Sequence, residues 1–272
     1  MADRSSIEWT DATWNVVTGC SRVSRGCENC WAEREAARRL RNHPSRQGLT
    51  DRNGRWTGKA RFNEQWLDRP LRWRKPRKIF VAASGDLFHE DIPNHWLDRI
   101  FEVMALADIH VFQVLTKRPS RARKYLAGGA RDRILPKVSR CFNAHGMAAR
   151  EWPLSNVWIG TSVEDQPTAD ERLAALRQIE AAVLWVSIEP LLGPVEIDEH
   201  LGDLDWVVVG GESGPGARSM DPSWARSLRN QCICARVPFF FKQWGGITSK
   251  AGGCELDGRQ WRQMPGEGPC AS

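Results

Sequence analysis

Cys20, Cys27 and Cys30 fall within one short stretch, Gly-Cys-(six residues)-Cys-Glu-Asn-Cys-Trp, directly after the first strand-like run. Their number is informative. A structural zinc site is normally closed by four protein ligands, and an ordinary ferredoxin cluster is also held by four cysteines. Three thiolates leave one coordination position open, and chemistry at a metal needs an open position. The spacing of six residues and then two therefore suggests a [4Fe–4S] cluster with one iron available to a small molecule.

The other groups able to do chemistry stand where strand-like runs end. They are Ser84-Gly85-Asp86, followed by His89; Thr116-Lys117-Arg118-Pro119; Gly160-Thr161-Ser162-Val163-Glu164; Ser187-Ile188-Glu189-Pro190; Gly210-Gly211-Glu212-Ser213-Gly214; and Lys242-Gln243-Trp244-Gly245. In (β/α) barrels the reacting groups collect at the carboxyl ends of the strands. Any one of these residues has an ordinary alternative, Asp86 capping a turn or Glu189 forming a salt bridge. A succession of such ends, opening with a thiol loop, is hard to assign to stability alone.

The elements that must position these groups are βα units. Short β-branched and aromatic runs predict strands at Trp14–Val17, Ile79–Ala83, Val111–Leu115, Val157–Thr161, Val183–Ile188, Trp206–Val209 and Phe239–Lys242. Helical patterns lie near Glu28–Arg41, Trp96–Ala107, Ser120–Leu126, Ala169–Ala181 and Ser223–Ala235, the last opened by Asp221-Pro222 as N-cap and first-turn proline. The alternation predicts an α/β fold, a partial (β/α) TIM-like barrel of about seven parallel strands, as a single domain over 1–272. A basic excursion at 42–77, an insertion at 128–155 read as loop, and a Gly-rich tail at 246–272, with Trp261 as its anchor, interrupt the pattern.

Charge adds a second theme. The chain of 272 residues carries a net +6, yet residues 38–78 hold fourteen Arg or Lys against Asp51, Glu64 and Asp68, a local excess of +11. Aromatic rings are interleaved with these cations, which neutralise phosphates while rings stack on bases. Arg55, Trp56, Lys59, Arg61, Trp73 and Arg74 are the candidate nucleic-acid contacts; a solvated Arg-rich face is the plain alternative. No run of about 18 apolar residues exists, so no membrane span is expected. Met-Ala-Asp-Arg-Ser-Ser offers no apolar signal core. A cytoplasmic location is the expectation, in which the eight cysteines are ligands or free thiols rather than disulfides. Cys232 and Cys234, two apart on a helix, point to different faces.

The cysteine loop after strand one, taken with the Ser-Gly-Asp-Leu-Phe-His, Leu-Thr-Lys-Arg-Pro, Gly-Thr-Ser-Val-Glu, Ser-Ile-Glu-Pro and Gly-Gly-Glu-Ser-Gly strand ends, resembles a phage-associated family of radical-SAM-like proteins of unknown function. The resemblance covers roughly residues 6–264. More distantly the chain is similar to the spore photoproduct lyase branch of the radical S-adenosylmethionine enzymes. Most enzymes of that class space their cysteines by three residues and then two. The longer first gap here still lets three thiolates converge, because lengthening a loop costs little.

The resemblance implies that Cys20, Cys27 and Cys30 bind three irons, while the fourth takes the amino and carboxylate groups of S-adenosylmethionine. One-electron reduction then yields a 5′-deoxyadenosyl radical. It implies that Ser84, Gly85 and Asp86 serve the methionyl amino group and Lys117 the carboxylate. Thr161, Ser162 and Glu164 would serve the ribose, and Glu189 and Glu212 the adenosine or substrate, with Lys242 and Gln243 completing the pocket. Lys117, Glu189 and Glu212 are the candidate catalytic groups, a nucleic-acid base or nucleotide the candidate substrate, and a flavodoxin or ferredoxin the candidate electron donor. Two other readings stand beside this one. The first is a non-catalytic nucleic-acid-binding protein with structural zinc closed by Cys141 or His145. The second is a metal-free barrel hydrolase or lyase using Glu189, Glu212 and Lys117.

Overall fold

The computed structural model describes residues 5–144 and 150–266. Two compact units divide the chain. One takes the residues up to Arg22, Ala32–Ile159 and Ile179–Ala182, and the other takes Val23–Trp31, Gly160–Gln178 and the residues from Val183 onward.

In the first unit, β1 (Ala12–Trp14), β2 (Lys78–Val81) and β3 (Val111–Thr116) pair in parallel, with Ala12 opposite Ile79 and Ile79 opposite Phe112. Ile79, Val81, Phe112 and Val114 are buried, as β-branched and aromatic residues suit a sheet covered on its faces. The helices of seven residues or more in this unit are α1 (Trp31–Ala37), α2 (Asn94–Leu106), α3 (Pro119–Tyr125) and α4 (Arg131–Ala144). Leu97, Ile100, Phe101 and Met104 recur at helical spacing and form the buried stripe of α2.

Strand β4 (Val157–Val163) is buried along its whole length, and the chain passes within it from the first unit to the second. The second unit holds β5 (Val183–Ile188), β6 (Trp206–Gly210) and β7 (Phe239–Gln243), again parallel, with Trp185 opposite Trp206 and Val207 opposite Phe239. Helix α5 (Gln166–Leu176) starts on a reciprocal cap between Asp165 and Thr168. Helix α6 (Pro222–Ala235) starts where Asp221 Oδ1 accepts the Ser223 amide at 2.7 Å, as the Asp-Pro pair predicts. Among the described residues these seven strands lie in chain order, β1 to β7, within one sheet. That is the strand order of a partial (β/α) barrel. No helix among the described residues is long and apolar enough to cross a membrane.

Three local expectations are corrected. The first strand ends at Trp14 because Asn15 leaves the ladder: its Oδ1 accepts the Ser84 amide and its carbonyl accepts Asn63 Nδ2. Val17–Thr18 then pairs antiparallel with Arg61–Phe62, inside the basic excursion. The first helix stops at Ala37, where Arg38, Arg39 and Arg41 crowd like charge onto the next turn and, among the described residues, Arg39 pairs with Glu35. Residues 128–155 are not simply loop. Ala130, Ile134 and Val138 recur every fourth residue and are buried, so α4 forms despite Pro136. In the tail, the Trp261 carbonyl accepts the Phe241 amide at 2.9 Å and the Trp261 ring packs 6.0 Å from Phe239.

Candidate functional site

In the first unit, the residues after β2 and β3 converge on the root of the cysteine segment. The Gly19 amide donates to the Ser84 carbonyl at 3.2 Å. A Cβ on Gly85 would lie 2.9 Å from the Gly19 carbonyl oxygen, so only glycine permits this approach. Asp86 is buried and accepts four hydrogen bonds, from the Phe88 amide (2.9 Å), Thr116 Oγ1 (2.6 Å), the Lys117 amide (3.0 Å) and Arg118 Nη1 (3.0 Å). Lys117 itself is half-buried.

Arg118 is the residue that sequence reasoning passed over in favour of Lys117. It is 6% exposed, its Nε donates to Glu90 at 2.9 Å, and its Nη2 donates to Ser21 Oγ at 2.7 Å. Its Nη1 lies 3.7 Å from Cys20 Sγ. Burial opposes the guanidinium charge, but Asp86, Cys20 and Glu90 outweigh it and hold the proton even more firmly than usual. A permanent cation thus stands beside the first thiol. Period-two alternation was the available signal, because Thr116 and Arg118 share a side of the chain that Lys117 does not.

His89 completes this cluster. It is buried, its Nε2 lies 3.0 Å from Ser21 Oγ, and its Nδ1 accepts the Asp91 amide at 3.2 Å. Burial, and then the charge of Arg118, lower its pKa below 6.5, against the opposing pull of Glu90, Asp91 and Asp86. A lowered histidine stabilises the fold above its unfolded pKa, and that contribution fades as the unfolded chain takes up the proton at lower pH. His89→Gln is therefore expected to flatten the loss of stability on the acid side of 6.5 in urea titrations. An unchanged acid slope would assign that loss to other groups.

The second unit holds the rest of the cysteine segment. Glu164, at the end of β4, is fully buried and accepts from Ser24 Oγ, from the Gly26 amide (3.2 Å) and from Arg172 Nη1 (2.8 Å). Arg172 Nη1 also donates to the Ser162 carbonyl at 2.7 Å. Glu212, following β6, accepts from Asn29 Nδ2 at 2.9 Å and from the Arg218 amide, Nε and Nη2 at 2.9, 2.9 and 2.5 Å. Arg218 in turn pairs with Glu28 and donates to the Arg25 carbonyl. Burial raises the pKa of Glu212, but the bonds from Arg218 and Asn29 prevail and keep it below the ordinary 4.5. The stretch Ser24–Asn29, which contains Cys27, is thus held by carboxylates following two different strands.

Glu189 follows β5. Its Oε1 lies 2.5 Å from Lys242 Nζ and 3.4 Å from Gln243 Nε2, both from the end of β7, and its carbonyl accepts Ser162 Oγ at 3.4 Å. Thr161 is fully buried within β4.

The basic excursion, in the first unit, distributes its candidates unevenly. Arg55, Lys59 and Arg74 are exposed. Trp56 is half-buried and its amide donates to Glu33 Oε1 at 2.8 Å. Arg61 is tied to its own surroundings, donating to the carbonyls of Pro44 and of Gln47, the latter at 2.7 Å. Trp73 lies beneath Arg77 and Arg69, 4.8 and 5.7 Å from its ring centroid.

Of the three thiols, Cys27 is buried, Cys20 and Cys30 are half-buried, and all three are free of disulfides. Cys20 belongs to the first unit, Cys27 and Cys30 to the second. Among the described residues no group of three or more His, Cys, Asp or Glu side chains stands together as a metal cradle. The donor chemistry fits nonetheless. Three thiols share one segment, its backbone is tied at Gly19, Gly26 and Arg25, and a cation borders the first. Soft thiolates suit iron–sulfur clusters and zinc. Cys141 is exposed on α4, Cys232 is buried and Cys234 exposed on α6, and Cys254 Sγ accepts from Arg262 at 3.4 Å. His145 and Cys270 lie outside the described residues.

The chain belongs to the family described as Protein of unknown function (DUF5131), whose model matches residues 4–265. No curated protein matches it. Among solved structures it is similar to a mutant of spore photoproduct lyase, at 15% identity over 78% of this chain and 58% of that one, with a TM-score of 0.44. It is similar also to spore photoproduct lyase complexed with dinucleoside spore photoproduct, at 13% identity over 86% and 75% of the two chains, with a TM-score of 0.47. The chain spans less than two thirds of the first of these structures.

Proposed function

We propose that this chain is a radical S-adenosylmethionine enzyme acting on a nucleic-acid base or nucleotide, with Cys20, Cys27 and Cys30 as ligands of a [4Fe–4S] cluster. The observation that supports the reading is where the residues at the strand ends are bonded. In the first unit Arg118 reaches Cys20 and Ser21; in the second, Glu164 reaches Ser24 and Gly26, and Glu212 reaches Asn29. Buried ion pairs are costly to assemble, and here they are assembled around a thiol-bearing loop.

When bound, the cluster and S-adenosylmethionine supply one-electron cleavage chemistry, fed by a flavodoxin- or ferredoxin-type donor. The chain's own residues do the placing. Asp86 fixes the Arg118 fork, and Arg118 holds positive charge at Cys20. Glu164 and Glu212 act as positioning residues for Ser24–Asn29. Lys117 is assigned to the cofactor carboxylate, and Ser84, Gly85, Thr161 and Ser162 to its polar edge. Glu189, oriented by Lys242, is assigned to cofactor or substrate. Cys20, Cys27 and Cys30 would hold the cluster through their thiolates, since metal binding commonly completes a site that the apo chain only prepares.

Protein purified without oxygen is expected to be brown and to hold about four irons per chain. Cys20→Ala, Cys27→Ala and Cys30→Ala are each expected to lose most of that iron, and reductant with S-adenosylmethionine is expected to release 5′-deoxyadenosine from the wild type. Colourless protein carrying zinc would overturn the assignment and favour the zinc-binding alternative.

A further inference from the structure

The later part of the basic excursion does not loop away from the sheet; it descends beside β1. Arg61 pairs opposite Thr18, and Phe62 opposite Val17. Next the Asn63 amide donates to the Val16 carbonyl at 2.7 Å, and the Trp66 carbonyl accepts Trp14 Nε1 at 2.7 Å. The Pro70 carbonyl lies 3.0 Å from His110 Nε2, and the Arg77 carbonyl accepts the Val111 amide at 2.9 Å, at the amino end of β3. The Lys78 amide donates to Asp11 Oδ2 at 2.7 Å. The excursion thus runs from the carboxyl end of these strands to their amino end, beside Thr18 first and Asp11 last. Seven residues at an extended rise make that run roughly 20 Å long. Its upper end touches the root of the cysteine segment, where a Cβ on Gly19 would lie 2.2 Å from the Lys59 carbonyl oxygen.

Charge along this run is one-sided. Residues 55–78 carry nine Arg or Lys against Glu64 and Asp68. Both acids are engaged, Glu64 by Arg99 at 2.7 Å and Asp68 by Arg72 at 2.5 Å. Arg55 and Lys59 at one end, and Arg74 and Lys75 at the other, are exposed. Among the described residues their side chains take no hydrogen-bond or ion-pair partner. A row of unpaired like charges repels itself, and a polyanion relieves the repulsion. The rings of the run are turned to other uses. Phe62 stacks on Trp96, with centroids 5.2 Å and planes 19° apart, and Trp66 lies 6.1 Å from His43. Trp73 lies beneath Arg77 and Arg69. Single strands are held by aromatic platforms on which unpaired bases stack, and these three rings are occupied. A duplex keeps its bases stacked on one another and meets such a surface through its phosphates.

We propose that residues 55–78 form a track for the backbone of a double-stranded nucleic acid. Arg55 and Lys59 grip it beside the cysteine segment, and Arg74 and Lys75 grip it at the far end. A duplex carries one charge per about 1.7 Å of axis, so a run of about 20 Å faces about twelve phosphates. A free nucleotide reaches one end only. Trp73 then serves to orient Arg69 and Arg77 rather than to stack on a base. The track rests on the nucleic-acid part of the function proposed above, and narrows its substrate from a base or nucleotide to a duplex polymer.

Protein purified without oxygen is titrated by fluorescence anisotropy with a labelled DNA duplex of about 24 base pairs at rising salt, and with one of its single strands. The wild type is expected to bind the duplex more tightly than the strand. Arg74→Gln with Lys75→Gln is expected to lower the steepness of log K against log salt by about 1.8, two duplex contacts at about 0.9 each. Arg55→Gln with Lys59→Gln is expected to do the same, and the two pairs together to lower it by the sum. Lys124→Gln with Arg131→Gln, exposed positions outside the excursion, is the charge-matched control and is expected to leave the slope in place. A control as damaging as either pair, or a slope that neither pair moves, would overturn the track. Equal affinity for the single strand would overturn the duplex assignment. Binding of a labelled flavodoxin that both pairs abolish, with no binding of duplex, would give the surface to an acidic protein instead. An RNA duplex titrated in parallel assigns the track to whichever polymer binds more tightly. Iron and 5′-deoxyadenosine are measured on the same preparations. Brown, active protein that ignores the duplex sinks the track alone, and colourless protein that grips it sinks the radical chemistry alone.

Discussion

Glu164→Ala is expected to destabilise the protein by about 3–5 kcal/mol, the usual cost of removing one partner from a buried ion pair. Glu164 is fully buried, and Arg172, whose Nη1 it accepts at 2.8 Å, is nearly so. Taking the carboxylate away leaves that guanidinium in the interior with one carbonyl partner, the Ser162 oxygen. The same change frees Ser24 Oγ and the Gly26 amide, which Glu164 holds. Urea unfolding measures the first effect. Amide hydrogen exchange at Gly26 measures the second, and is expected to speed up by more than the global loss accounts for. The double variant Glu164→Leu with Arg172→Met removes both charges and is expected to regain much of the stability, because well-packed apolar residues often replace a buried pair at little cost. It is not expected to regain slow exchange at Gly26. A double variant with wild-type exchange would show that the cysteine segment is held by other contacts.

Arg118→Met is the second large effect, at about 3 kcal/mol. It stays near the low end of the range because Asp86 keeps three other donors, from Phe88, Thr116 and Lys117. The more telling readout is iron. With the guanidinium gone, the cation 3.7 Å from Cys20 Sγ is lost, and Ser21 loses one of its partners. Iron retained after anaerobic reconstitution and gel filtration is expected to fall several-fold in Arg118→Met. Arg118→Lys keeps the charge without the planar fork, so it is expected to retain more iron than Met and less than the wild type. Equal iron in all three, at equal folded fraction, would reduce Arg118 to a scaffold residue.

Much of the frame was legible along the chain. Runs such as Val-Leu-Trp-Val-Ser-Ile and Trp-Val-Val-Val-Gly are too short and too β-branched to be helices, and they became β5 and β6. The Asp221-Pro222 start of α6 was legible because a cap acts over three residues. Errors fell where a local signal misled. Residues 128–155 read as loop, although the buried Ala130, Ile134 and Val138 stripe carries a helix through Pro136. Asn15 looked like an ordinary strand residue until its carboxamide found Ser84, sixty-nine positions later.

The order of the strands, the polar residues that close them and the thiol triplet that follows the first were all set by sequence, because periodicity and turn chemistry act between near neighbours. Which partner each polar residue takes was decided only by the tertiary structure. Gly26 and Glu164 are 138 positions apart, and Asn29 and Glu212 are 183 apart. No local pattern links them; the strands bring them together. Desolvation then makes each buried carboxylate demand a donor: Glu164 is bonded to Ser24 and Gly26, Glu212 to Asn29, and the cation 3.7 Å from Cys20 is Arg118.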